Sequence, residues 1–397
     1  MWGESVSLLE PGRHRVAHLA DDAALLTAMV RVELAWLRAL SGAGLLKPEQ
    51  VAAAEQQLPS PVIDPAAVES SGNPVKPLVD ALRAALPEVS AQLHRGLTSQ
   101  DVLDTALMLM ARNVLDHVTG SLTAAAADLA RLADDHRGSV MPGRTLTRYA
   151  VPVTFGLTAA QWLAGILDAR DAVATVRSAL PIQCGGAAGT LSLAGELVAD
   201  PVALAEDFAR QLDLRWPGLP WHTRRTPVTR LGDALTQTVD ALGVIAADIL
   251  MLGRPEIAEV RERAVEGRGG SSTMPHKQNP VLAVLIRSAA LQAPGLGAQL
   301  HLCAAQAVDQ RPDGAWHAEW ASCRQLLLLT ATAASQTAEL VAGLEVDPDT
   351  MTRHAESAAT HLLAERGEVG GGPASYLGAS DAFVDAVLVR WRGSRDA

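Results

Sequence analysis

The chain has 397 residues, with 33 Lys and Arg against 44 Asp and Glu and a formal charge of −11. Hydrophobic residues make up 48% but aromatic ones only 3%, so the apolar share is mostly Ala, Leu and Val, which suits packed helices better than sandwiches or barrels. The acidic balance argues against nucleic acid or an anionic membrane as main partner, and the distant Cys184, Cys303 and Cys323 give neither a disulfide framework nor a CxxC metal spacing.

The N-terminal MWGESVSLLEPGRHRV has charges where a signal peptide needs an apolar run, and no unbroken apolar stretch reaches membrane-spanning length. A cytoplasmic protein is expected. From Ala23 to Leu40, apolar residues recur at three- and four-residue steps, and Gly42 and Gly44 close that helix. Residues 45–95, broken by seven prolines, predict short helices in a small N-terminal domain. A long helix follows from Ser99, nearly forty residues without Pro. A second is expected from Pro152, read as a first-turn proline, to Leu180. A third spans Thr229 to Leu252, roughly 36 Å at helical rise. A fourth opens at Asn279-Pro280, read as cap and first-turn proline, and is interrupted at Pro294; a fifth covers about Gly314 to Leu344. The pattern is all-α: an N-terminal domain 1–95, a central helical bundle 96–346 and a short C-terminal domain 347–397, with no internal repeat.

Four segments carry chemistry-bearing residues. In GRGGSSTMPHKQNP, 267–280, three glycines precede two hydroxyls, and Lys277 and Asn279 lie just before a helix start. A helix N-terminus favours carboxylate or phosphate. A serine such as Ser271 or Ser272 could act as base where its alkoxide is stabilised by nearby cations. A mobile surface loop is the equally weighted plain alternative. In HRGLTSQDVLDT, Thr98, Ser99 and Gln100 open the long helix; read alone, they cap it, and Asp101 and Asp104 merely suit its dipole. In MPGRTLTRYAVP, Arg144 and Arg148 could grip carboxylates or be solvated. In QRPDGAWHAEW, Arg311, His317 and Glu319 accompany two tryptophans. No zinc pattern appears, and no metal or cofactor is expected.

Together these segments resemble the fumarase/aspartase superfamily. GSSTMPHKQNP is similar to its signature loop, HRGLTSQDVLDT to its first active-site region and GRTLTRYAVPVTFG to its second. The resemblance covers about residues 20–345. It implies a homotetramer with a twenty-helix core, each active site drawing on three subunits. By position, Ser271 resembles the catalytic base, Lys277 and Asn279 the substrate-contacting residues, and His94 the histidine of the family's HxG. Thr98, Ser99 and Gln100 resemble the carboxylate binders, and Arg144 the second-region arginine.

Within the superfamily, adenylosuccinate and argininosuccinate lyases carry a Thr-His step in the second region, where this chain has Leu146 after Thr145. TSQDVLDTAL, VPVTFG, QCGGAAGTL, RPDGAWHAEW and SYLGASDAFVD instead resemble bacterial 3-carboxy-cis,cis-muconate cycloisomerases. Lactonisation has no external leaving group to protonate, because the attacking carboxylate is tethered to its own double bond. The expected activity is therefore cycloisomerisation of carboxymuconate, a small polycarboxylate gripped by Arg144, Arg148, Lys277 and Arg311. Ser271 would deliver the proton to carbon, Lys277, Asn279 and the nearby helix-start donors would stabilise the developing charge, and His94 is a further candidate catalytic residue. A lyase acting on a substituted succinate and a catalytically silent scaffold are the alternatives.

Overall fold

A computed structural model describes residues 8–58, 62–274, 276–367 and 370–394. Helix α1 (Asp22–Gly42) and the shorter α2 (Pro48–Gln56), α3 (Pro65–Ser71) and α4 (Val75–Ala85) come first. The long helix α5 (Ser99–Asp135) leads into strands β1 (Val140–Thr145) and β2 (Arg148–Thr154), then α6 (Phe155–Ala179), α7 (Ser192–Leu197) and α8 (Pro201–Leu212). Next are α9 (Thr226–Leu252), β3 (Val260–Glu262), α10 (Val281–Ala305), α11 (Gly314–Ala342) and β4 (Leu344–Val346). Helices α12 (Pro348–Ser357), α13 (Ala359–Leu362) and α14 (Ser380–Gly393) finish the chain. The fold is all-α, with only short strands.

Two helix boundaries differ from expectation. Pro152 is not a first-turn residue: it pairs with Pro142 in the β1–β2 hairpin, and helix α6 begins at Phe155. Proline suits an edge strand of so small a sheet as well as a helix start. Pro294 does not interrupt α10, which continues from Val281 to Ala305 with the proline inside it.

The chain forms two compact units. The first draws on residues up to Asp116, on Thr175–Asp233 and on Gly295–Leu328; the second on His117–Ala174, Ala234–Pro294 and residues from Leu329 onward. Each of the five long helices contributes residues to both. In the first unit, Trp36 of α1 meets Phe208 of α8 edge-on, at 5.4 Å between ring centres. Residues Asp101–Arg112 of α5 are all buried, as befits a helix surrounded by others rather than one with a wet face.

In the second unit, small residues let helices approach closely. A side chain at Gly243 of α9 would come within 2.4 Å of the Ala290 methyl carbon on α10. One at Gly156 would meet the Ala133 carbonyl at 2.6 Å, so α6 starts hard against the end of α5. Helices α9 and α10 are long and apolar enough to cross a membrane by length and composition, and 50% and 33% of their most apolar windows is buried within the fold. Core helices meet the same criterion.

Candidate active site

Within the first unit, the three residues expected to bind carboxylate open α5 beside a carboxylate that the sequence reading passed over. Asp101 Oδ2 accepts the backbone N–H of Thr98 at 3.0 Å and of Gly186 at 2.9 Å. Its Oδ1 accepts the N–H of Gly185 at 2.9 Å and lies 2.8 Å from His222 Nε2. One buried side chain thus joins the 94–100 loop, the QCGGAAGTL loop and the segment PWHTRRT. Glycine is required opposite it, since a Cβ at Gly185 would lie 2.7 Å from the His222 ring.

Gln100 donates to the His222 carbonyl at 2.9 Å. Gln100 Oε1 and His222 Nδ1 are buried without a hydrogen-bond partner among the described residues. Unpaired buried polar atoms cost about 1–3 kcal/mol each, and such exceptions cluster at sites that await a ligand or do chemistry.

His94 is fixed as firmly. Its backbone is left-handed, φ 61°, and the buried Glu33 takes both its N–H, at 2.9 Å, and its Nδ1, at 2.7 Å. A carboxylate on Nδ1 sets the tautomer and frees Nε2 for chemistry. Arg311 is not a free grip: it donates to the Ala187 carbonyl at 2.9 Å and so ties down the glycine-rich loop. His317 is likewise occupied, its Nε2 2.9 Å from the Gly72 carbonyl.

Beneath these groups lies a buried ionic cluster. Arg225 makes a two-point contact with Asp104, at 2.7 and 3.0 Å, and also pairs with Glu319. Trp316 Nε1 donates to Asp104 at 3.0 Å, and the guanidinium stacks 4.7 Å over Trp221. One cation faces two carboxylates. Burial pushes Glu319 up to about 7 despite the attraction of Arg225, so Glu319 is the member that shares a proton near neutrality. Burial opposes the charge of Arg225, but Asp104 and Glu319 outweigh it and hold the guanidinium above its usual range. The Cys184 and Cys323 thiols are raised by burial, Cys323 to about 12, which removes them as nucleophiles.

Within the second unit, the signature-loop segment is cinched at its neck. Asn279 donates its backbone N–H at 2.8 Å and its carboxamide at 3.0 Å to the Gly269 carbonyl. Gly270 bridges Gln278, whose side chain donates to the Arg268 carbonyl at 2.8 Å. Gly269 has φ 78°, and a Cβ there would strike the Asn279 carbonyl at 2.5 Å, so only glycine fits. Beyond the neck, Ser271 Oγ accepts the Met274 N–H at 3.1 Å, while Lys277 is exposed. The neck is fastened and the tip is open to solvent.

Two expectations for this unit need correction. The start of α10 is not an open anion site, because the Glu262 carboxylate accepts the N–H groups of Leu282 and Ala283, both at 3.2 Å. Arg268 pairs with Glu262 and Glu339 behind it. Nor is Arg144 a free grip. Glu259, fully buried, holds its guanidinium at two points, 2.9 and 2.7 Å, and also meets His354 Nδ1 at 2.9 Å.

Arg148 is exposed at the start of β2. It follows the turn residues Leu146 and Thr147, both at positive φ (49° and 68°), the signature of a type I′ hairpin turn. Leu146 is 96% exposed. A leucine and a β-branched threonine at such angles store strain of about 1–3 kcal/mol each. Among the described residues, no three His, Cys, Asp or Glu side chains group as metal ligands.

A family model described as lyase matches residues 29–295, more than half of the chain. The chain belongs to the fumarase/aspartase superfamily. Nitrosuccinate lyase of Streptomyces davaonensis is 45% identical over 360 residues, covering 87% of this chain and 76% of that protein. The 3-carboxy-cis,cis-muconate cycloisomerase of Bradyrhizobium diazoefficiens is 38% identical over 372 residues, covering 91% and 81%. The crystal structure of 3-carboxy-cis,cis-muconate lactonizing enzyme from Pseudomonas putida superposes with a TM-score of 0.86 at 29% identity, covering 96% of this chain and 97% of that one. The chain is thus an enzyme of the lyase superfamily with the helical fold of these relatives.

The sequence reading missed Glu33, Asp101 and His222. Asp101 looked like a helix-dipole residue, and PWHTRRT was not singled out. Its signal was a tryptophan and a histidine between prolines in a chain poor in aromatics.

Proposed function

We propose that this enzyme eliminates a stable anion from a 2-substituted succinate, nitrosuccinate being the first candidate, to give fumarate and nitrite. One observation carries the reading: Leu146 occupies the exposed hairpin turn where lyases expelling an amine resemble one another in a histidine acid. A leucine donates no proton, so this position supplies no acid to the leaving group, which suits a group that departs unprotonated. Nitrite, the conjugate base of an acid about as strong as a carboxylic acid and far stronger than an ammonium ion, does so readily. The 45% identity to a nitrosuccinate lyase supports this choice.

In the proposed reaction, Ser271 as alkoxide removes a proton from the carbon next to one carboxylate. The C–H electron pair forms the new double bond, and the C–N bond breaks with its pair going to nitrite. Lys277 and Asn279 stabilise the charge that develops on the carboxylate. Thr98, Ser99, Gln100 and an oriented His94 hold the other end of the substrate. Ser271 and Lys277 share the loop tip, and we assign the remaining partners to neighbouring copies in a cytoplasmic homotetramer.

Lactonisation of carboxymuconate is the second reading. It too needs no external leaving group, and the cycloisomerase relatives at 38% identity favour it. The deciding experiment follows nitrite and fumarate release from nitrosuccinate beside loss of the diene absorbance of carboxymuconate. Turnover of the first supports elimination, and turnover of the second alone transfers the assignment to lactonisation. Inertness toward both sinks both. Ser271→Ala should abolish turnover by at least about a hundredfold while the protein stays folded, and sedimentation should report a tetramer.

A further inference from the structure

The first unit holds a basic cleft whose lining includes none of the residues assigned to catalysis. Its cavity of about 450 Å³ lies between the end of α6 and the segment 215–230. Arg215, Arg224 and Arg230 line it, with Trp216, Pro217 and Thr226 among their neighbours and no Asp or Glu in the lining. None of the three guanidiniums makes a hydrogen bond or ion pair among the described residues, although all belong to a chain with eleven more acids than bases. Of the acids close in sequence to the lining residues, Asp233 lies 2.9 Å from His301, and Asp213 is exposed, 3.8 Å from Arg112.

The three guanidiniums are exposed, so water screens their mutual repulsion, and a polyanion bridging them would meet positive charge from several sides with no carboxylate of the lining to oppose it. The volume is many times that of one small ion and falls in the range of small-molecule sites. Tryptophan and prolines give it a stiff apolar wall, and guanidinium forks match carboxylate and phosphate oxygens in two-point fashion. We infer that this cleft binds a compact ligand carrying two or more phosphate or carboxylate groups, as a site separate from the catalytic one. Arg224 adjoins Arg225 and lies two residues after His222, so an occupant would touch the segment that anchors the catalytic side of this unit.

Calorimetric titration of the full-length protein with pyrophosphate and with tricarballylate tests the inference and separates phosphate from carboxylate ligands. At least one should bind saturably, about once per chain, and bind more weakly as salt rises. Arg215→Gln/Arg224→Gln/Arg230→Gln should weaken it at least about tenfold, while Lys277→Ala leaves it unchanged, which excludes the catalytic loop as the site. Should the triple variant fail to fold, Arg224→Gln alone, at an exposed position, must still weaken binding. No saturable binding by either anion, or binding that survives the arginine changes and is lost with Lys277→Ala, overturns the inference. Because the readout is heat of binding, it does not depend on which reaction the enzyme catalyses.

Discussion

Glu33 holds His94 at two points, one carboxylate oxygen 2.7 Å from Nδ1 and the other accepting the backbone N–H at 2.9 Å. This is how an imidazole is kept in one tautomer with Nε2 presented outward. Glu33→Gln keeps the size and one acceptor but loses the charge. Its kcat should fall at least about tenfold with circular dichroism unchanged, and Glu33→Asp should restore part of it. An unaltered kcat would make the pair purely structural.

Asp101 gathers four donors from three segments. Asp101→Ala leaves buried N–H groups of Thr98, Gly185 and Gly186 unpaired, so it should cost about 3–5 kcal/mol in urea unfolding. Asp101→Asn should cost less. A loss below about 1 kcal/mol for the alanine variant would show that the loops stand without this carboxylate.

The hairpin turn is built from residues ill suited to it. Replacing Leu146 and Thr147 by Asn-Gly, the pair that favours positive φ, should raise unfolding stability by about 1–2 kcal/mol. A neutral or negative change would mean that the turn carries no strain.

Stability should also respond to pH through Glu319. Its pKa is about 7 in the folded chain, raised mainly by burial from an ordinary value of 4.5. Between those values the folded state binds the extra proton, so stability falls as pH rises. The contribution is complete below the unfolded pKa and gone once pH passes about 7. On the order of 1–3 kcal/mol is at stake. Unfolding curves between these limits should show this decline, and Glu319→Gln should flatten it. Equal slopes for the two proteins would refute the assignment.

Much of this was legible in the sequence, because helices announce themselves by local spacing. Leu25 to Leu40, the proline-free run from Ser99 and the apolar stretch to Leu252 each encode a helix within a few turns. The boundary at Pro152 was not legible, since proline fits both a helix start and a strand, and only pairing with Pro142 decides. The signature loop was readable as a string of residues with the right chemistry. The buried carboxylates were not: Glu259 holds Arg144, Glu262 holds the start of α10 and Asp101 holds Gly185, Gly186 and His222, partners remote in sequence that tertiary geometry alone sets. Arg144 and Arg311 show the reverse error, cations that suit a substrate but are already engaged by the protein.

In the proposed elimination the leaving group departs without a proton from the hairpin turn. The most direct test is a series of 2-substituted succinates differing only in the leaving group, compared by kcat/KM at one pH. Rates should rise steeply as the leaving anion becomes less basic, with nitrite expelled rapidly and amines scarcely at all. If an amine such as that of aspartate or argininosuccinate leaves as fast as nitrite, an acid is present and the claim is wrong.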